Sequence, residues 1–147
     1  MNPIYSNILH EFAQEQTGIE RAIIDALLAS PSGLTRGELV RAVFGVEPKP
    51  NIANDSNDRK NRIAINALFL RGVPIVATSS GAGYKISDVP ADIRAVIAEA
   101  QARIEAEREK IRAGETILQW LADVKDAEER RRAIEDGRGA YQMELSV

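Results

Sequence analysis

The sequence contains no cysteine and a single histidine, His10. Without cysteine there are no disulfides and no thiolate metal sites, which suits a reducing compartment. A mononuclear zinc enzyme or a histidine-based triad would have to rest on His10 alone, and a surface position on a short N-terminal helix is the simpler expectation for it. No apolar run approaches the roughly 18 residues needed to span a bilayer. Met1 to His10 show no basic segment followed by an apolar core, so no secretory signal is expected there. No paired carboxylates, phosphate loop or metal-spaced cluster stands out. Gly137-Arg138-Gly139 has no flanking strand pattern to make it a nucleotide loop. These absences lead to the expectation of a cytoplasmic protein that is not an enzyme and uses no cofactor, metal or membrane.

What is present is 147 residues, enough for one domain and an appendage, with the apolar and charged content of a protein that folds in water. The net charge is −3, which at first argues against a nucleic-acid partner. Its distribution argues the other way. Residues 1–34 carry a net −3, residues 35–87 a net +4, and residues 88–147 a net −4. The eight bases of the middle block are Arg36, Arg41, Lys49, Arg59, Lys60, Arg62, Arg71 and Lys85. Duplex DNA responds to local positive potential rather than to overall charge.

Residues 4–16 carry a weak helical pattern. The first clear helix is expected from about Ile19 to Ala29, with Ile19, Ile23, Ala26 and Leu27 on one face, stopped by Pro31, Ser32 and Gly33. Thr35 opens a second helix, and Glu38 three residues on completes a capping box. Leu39, Val40, Val43 and Phe44 form its apolar face, and Gly45 is a C-terminal stop. After a polar loop, Val46 to Asn54, either Asp55 or Ser56 can cap a third helix that runs to about Arg71 and ends at Gly72. Pro74 to Thr78 and Tyr84 to Ser87 read as two short strands around a Ser79-Ser80-Gly81-Ala82-Gly83 turn. Three helices and a β-hairpin in this order predict a winged helix-turn-helix from about Ile19 to Ser87.

In a helix-turn-helix the later helix lies in the major groove, with the preceding helix aimed at the backbone. Residues 55–71 supply that helix here, and its early residues include Ser56, Asn57, Arg59, Lys60 and Arg62, with Asn66 one turn further on. Arginine can bond guanine through two N–H groups, asparagine can do the same for adenine, and lysine pairs with phosphate. Thr35 and Arg36 open the preceding helix, where free N–H groups favour an anion.

Leu68-Phe69-Leu70-Arg71-Gly72-Val73-Pro74-Ile75 followed by Ser80-Gly81-Ala82-Gly83-Tyr84-Lys85-Ile86 resembles the wing of the biotin-repressor-type winged helices. In that family the recognition helix ends in Leu, a few residues, then Gly, and a Gly-x-Gly-Tyr leads the return strand. The likeness covers about 70 of the 147 residues. It implies duplex-DNA binding through the third helix, with the wing touching backbone or minor groove through Ser79, Ser80 and Lys85. It also implies a bacterial or phage-infected cell, where short proteins of this kind are frequent, and the chain has no room for a ligase domain. Two departures stand out. The loop Val46 to Asn54 is long for this motif, and Asn61 occupies a position where the pattern puts an apolar core residue.

Beyond the Asp88-Val89-Pro90 hinge the chain is rich in Ala, Glu, Arg and Ile. Ile97, Ile104, Ile111 and Leu118 recur every seven residues, with Ala100, Glu107, Gly114 and Leu121 as companions. This a/d seam predicts a coiled-coil-like region, either two helices bent near Gly114 or one long helix. Trp120, Leu118, Leu121 and Val124 form an apolar cluster for intrachain packing or for pairing of two chains. Arg130-Arg131-Arg132 sits among acids as a solvated helix end. The expected organisation is an N-terminal helix or extension (1–17), a winged helix-turn-helix (18–88), a helical arm or hairpin (89–136) and a flexible tail (137–147). The expected function is sequence-specific duplex-DNA binding, as a small transcriptional regulator or a phage DNA-transaction factor. A homodimer through Ile97, Ile104, Ile111, Leu118 and Leu121 would place two such domains on two half-sites about one DNA turn apart. The alternative expectation is a winged helix that docks proteins and does not bind DNA.

Overall fold

The computed structural model describes Met1 to Leu145, with side chains described as far as Arg138. The protein is mainly helical, with a small three-stranded antiparallel sheet and a long C-terminal helix. It divides into two units, Met1–Ala98 and Glu99–Val147.

The first unit opens with α1 (Pro3–Gln14) and α2 (Gly18–Leu28). Asn2 caps α1 by accepting from the Ile4 N–H, and Pro3 occupies the first turn, where its missing N–H costs nothing. A two-residue strand, β1 (Leu34–Thr35), then leads directly into α3 (Arg36–Phe44). The Thr35 hydroxyl accepts from the Glu38 N–H at 3.2 Å, the first half of the expected capping box, and donates to the Glu38 carboxylate at 3.0 Å, which thus bonds the hydroxyl and not the Thr35 N–H. Gly45 ends α3 in the left-handed conformation at φ 67°. The long loop is shortened by a 3-10 turn at Ile52–Asn54, and α4 follows as Ser56–Leu70. Of its two candidate caps, Asp55 is the one used. Its carboxylate accepts from the N–H groups of Asn57 and Asp58 at 2.8 and 3.0 Å.

The sheet is completed by β2 (Ile75–Ala77) and β3 (Gly83–Ile86) in the order β1-β3-β2. Strand β1 had no sequence signal, being only two residues long. It exists because Gly83 lets it approach. Thr35 and Gly83 are register partners, and a Cβ on Gly83 would lie 2.0 Å from the Leu34 carbonyl oxygen. The two wing glycines therefore differ in purpose. Gly81, at φ 70°, supplies the left-handed turn, whereas Gly83 has no positive φ and supplies space.

The core forms where α1, α2, α3 and α4 meet the sheet. Ile23, Ile24 and Leu27 of α2, Leu39 of α3 and Leu68 of α4 are buried together, with Leu9 and Ala13 of α1 and Ile75 and Ile86 of the sheet. At roughly 1.5–3 kcal/mol for each fully buried large aliphatic side chain, this cluster is the main source of stability. Tyr84 lies against it, half-buried. Asn61 is buried at 1 % exposure, at the position expected to be apolar, and neither polar atom of its amide has a hydrogen-bond partner among the described residues.

Among the described residues the second unit holds no element other than α5 (Pro90–Leu145), which begins in the first unit with Pro90 in its first turn. Of the two forms the sequence left open, one long helix is present rather than a helical hairpin. The helix runs on through Gly114 and Gly137. A glycine in a helix interior costs about 1 kcal/mol relative to alanine, which long flanking stretches of Ala, Glu, Arg, Lys and Leu offset. The tail expected over 137–147 falls partly outside the described residues, which exclude Ser146 and Val147.

Candidate nucleic-acid interface

Helix α4 has two distinct faces. Asp58, Asn61, Ile65 and Leu68 point inward and are buried. Ser56, Arg59, Lys60, Arg62, Ile63, Asn66 and Leu70 are exposed on the other side. Side chains at i, i+4 and i+7 share one strip of a helix, so Arg59, Ile63 and Asn66 form a line along the centre of the solvent face. Arg59, Arg62, Ile63 and Asn66 together line a shallow hollow of about 330 Å³. Asn57 is only half-exposed, since the turn behind it is fixed by Asp55.

Asp58 organises one edge of this face. Its carboxylate is 1 % exposed and receives both ends of the Arg36 guanidinium, Nε on Oδ1 at 3.0 Å and Nη2 on Oδ2 at 2.5 Å. Arg62, one turn along the same helix, places Nε 3.1 Å from Oδ2. Three segments distant in sequence thus meet, since Tyr84 of β3 adjoins the same charges. The hydrogen bond to Asp58 raises the Arg36 pKa above its ordinary value, against a smaller opposing effect of burial. Burial raises the Tyr84 pKa, and the negative charge of Asp58 adds to the rise. Sequence reasoning assigned Asp58 no role. The i, i+4 spacing to Arg62 was the one visible signal, and the partner 22 residues away at Arg36 had none.

The bases of the middle block are not equally available. Arg36 and Arg62 pair with Asp58, Arg41 with Glu47, Arg71 with Glu20, and Lys85 with Asp92. Among the described residues Lys49, Arg59 and Lys60 form no ion pair, and the Lys60 ammonium sits 5.9 Å from the centre of the Phe44 ring. Lys85 was expected at the wing surface. Its ammonium lies 3.5 Å from Asp92 at the start of α5, so it is drawn away from the turn. Hydrogen bonding from Ser87, followed by the charge of Lys85, holds the Asp92 carboxyl below the usual carboxylate range.

Ser79 and Ser80 are exposed at the hairpin tip. Ser80 Oγ lies 3.2 Å from the Thr78 hydroxyl and accepts from the Ala82 N–H at 3.4 Å, which stiffens the tip. The tip is joined to α3 through the Arg36 N–H, which donates to the Ala82 carbonyl at 3.1 Å. Thr35 is exposed beside it, its hydroxyl occupied by Glu38. The start of α3, the hairpin turn and the Arg36–Asp58–Arg62 cluster therefore form one connected region of the first unit.

In α5, Ile97, Ile104, Ile111, Leu118 and Leu121 are all at least half exposed, as are Ile117, Trp120 and Val124. No helix is long and apolar enough to cross a membrane, and no group of metal-binding side chains occurs, among the described residues. No family model, no curated protein and no solved structure matches this chain.

Proposed function

We propose that residues 18–88 are a winged helix that binds duplex DNA, with α4 in the major groove and the β2–β3 turn against the backbone. The single observation that carries this reading is the solvent face of α4. It is a continuous strip in which guanidinium and carboxamide groups, the side chains suited to base edges, stand on a helix whose opposite side anchors the core. Lys60, which forms no ion pair among the described residues, stands beside the strip as a group suited to phosphate. The protein would act as a sequence-specific regulator or DNA-transaction factor, paired through α5. Five of the eight bases are engaged in ion pairs, with Arg36 and Arg62 sharing Asp58, so nonspecific affinity will be modest and selectivity will depend on α4.

Binding is measured by fluorescence anisotropy with a labelled random 30-mer duplex, titrated between 50 and 200 mM salt. Affinity should fall as salt rises, because each phosphate contact releases counterions. The triple variant Arg59→Ala, Lys60→Ala, Arg62→Ala should lose about tenfold or more at the lower salt, with an unchanged circular dichroism spectrum. Absence of binding at 50 mM salt sinks the proposal. One feature favours the second reading, a protein-docking surface: Leu70, at 77 % exposure, extends the α4 face with an apolar group that needs no nucleic acid.

A further inference from the structure

The geometry points to Ile63 as a specificity-determining residue that recognises the 5-methyl group of thymine, an inference that rests on the DNA-binding reading above. Ile63 is 62 % exposed, yet it lies at the centre of the α4 strip, with Arg59 one turn before it and Asn66 one turn after. An isolated exposed isoleucine would need no explanation. This one is the apolar member of the four side chains that line the shallow hollow on α4, beside Arg59, Arg62 and Asn66. An apolar side chain without hydrogen-bonding capacity, next to three that have it, fits a small apolar group projecting from a polar edge. In the major groove only thymine presents such a group, its methyl beside the O4 acceptor. A purely apolar partner fits less well, since covering Ile63 would strip water from the neighbouring Arg59 guanidinium without supplying it a partner.

From Arg59 to Asn66 the strip advances by seven residue steps, about 10 Å at 1.5 Å per residue, the length of roughly three base-pair steps. Arg59 suits guanine and Asn66 suits adenine. The preferred element is therefore a short run with thymine at its centre.

The test selects bound duplexes from a random thymine-containing library with the full-length protein. The selected duplexes are then remade with deoxyuridine at one thymine at a time, which removes only the methyl. One thymine, or two adjacent ones, should matter, with affinity falling about three- to tenfold on replacement. Ile63→Ala should bind the thymine and uracil forms equally well, and its melting temperature should match that of the parent because the side chain is exposed. If the parent binds selected duplexes with salt-dependent affinity but ignores every thymine-to-uracil change, the assignment of Ile63 is overturned while DNA binding stands. If no duplex is retained at 50 mM salt, both readings fall together.

Discussion

At the scale of single residues, Asp58 sets how much positive charge the candidate interface can show. It is almost fully buried, and two guanidinium groups and the Asp55-capped turn surround it. Arg36 and Arg62 thereby lose part of their attraction for phosphate and gain a fixed orientation, a trade that favours selectivity over affinity. Replacement of Asp58 by Asn should shift both properties. Stability should fall by about 1.5–3 kcal/mol, the usual worth of a hydrogen bond to a charged group, read from the urea midpoint. Duplex binding should become more salt-dependent, the slope of log K against log salt steepening by about one unit as a released arginine reaches phosphate. An unchanged midpoint together with an unchanged slope would show that the three side chains act independently. Asn61 is the counterexample nearby. Its buried amide has no partner among the described residues, and such a group typically costs about 1–3 kcal/mol. The structure shows no compensating contact for it.

At the scale of elements, the helices of the first unit were legible because their ends are written in local chemistry. Thr35 with Glu38, Gly45 with Arg41, and Asp55 with Asn57 and Asp58 each act within four residues, so a sequence window contains the bonds that set these helix ends. Strand β1 was not legible, because its pairing depends on Gly83, 48 residues away from Thr35, being small. The pairing of Arg36 with Asp58 and of Lys85 with Asp92 was hidden for the same reason. Asp55 permits a test at this scale. Three N–H groups bond its carboxylate, and that of Lys49, at 2.8 Å, is the largest influence holding its pKa below the ordinary value, followed by that of Asp58. A carboxyl with a lower pKa in the folded state takes up its proton more readily when unfolded. Its contribution is therefore fully present above the ordinary carboxylate range and is lost as pH falls through that range to the lowered value. Asp55→Asn keeps a side chain able to cap α4 but cannot titrate. The variant should be less stable than the parent at pH 7 and should approach it at pH 3, judged from urea midpoints. An equal gap at both pH values would mean that the charge of Asp55 contributes nothing.

At the scale of the whole molecule, the question is why a small domain carries a helix of 56 residues. The helix leaves Ile97, Ile104, Ile111 and Leu118 exposed at seven-residue intervals. That is the spacing at which a second helix can cover all four with a left-handed supercoil. Glu107 and Gly114 weaken the companion positions, so the pairing is expected to be reversible rather than obligate. Pairing would also serve the proposed activity, since a second DNA-binding unit joined to the first raises apparent affinity by about a hundredfold or more when both reach their half-sites. The full chain with Ile104→Arg and Ile111→Arg puts two charges into the middle of the seam without touching residues 1–98. Sedimentation equilibrium should then give the 16.1 kDa mass of one chain, where the parent gives twice that. The same variant should lose its preference for duplexes carrying two half-sites over duplexes carrying one. If the parent itself sediments as a single chain up to 100-fold above the concentration at which it saturates DNA, α5 has another purpose. A loss of mass with no loss of two-site preference would separate pairing from DNA binding altogether.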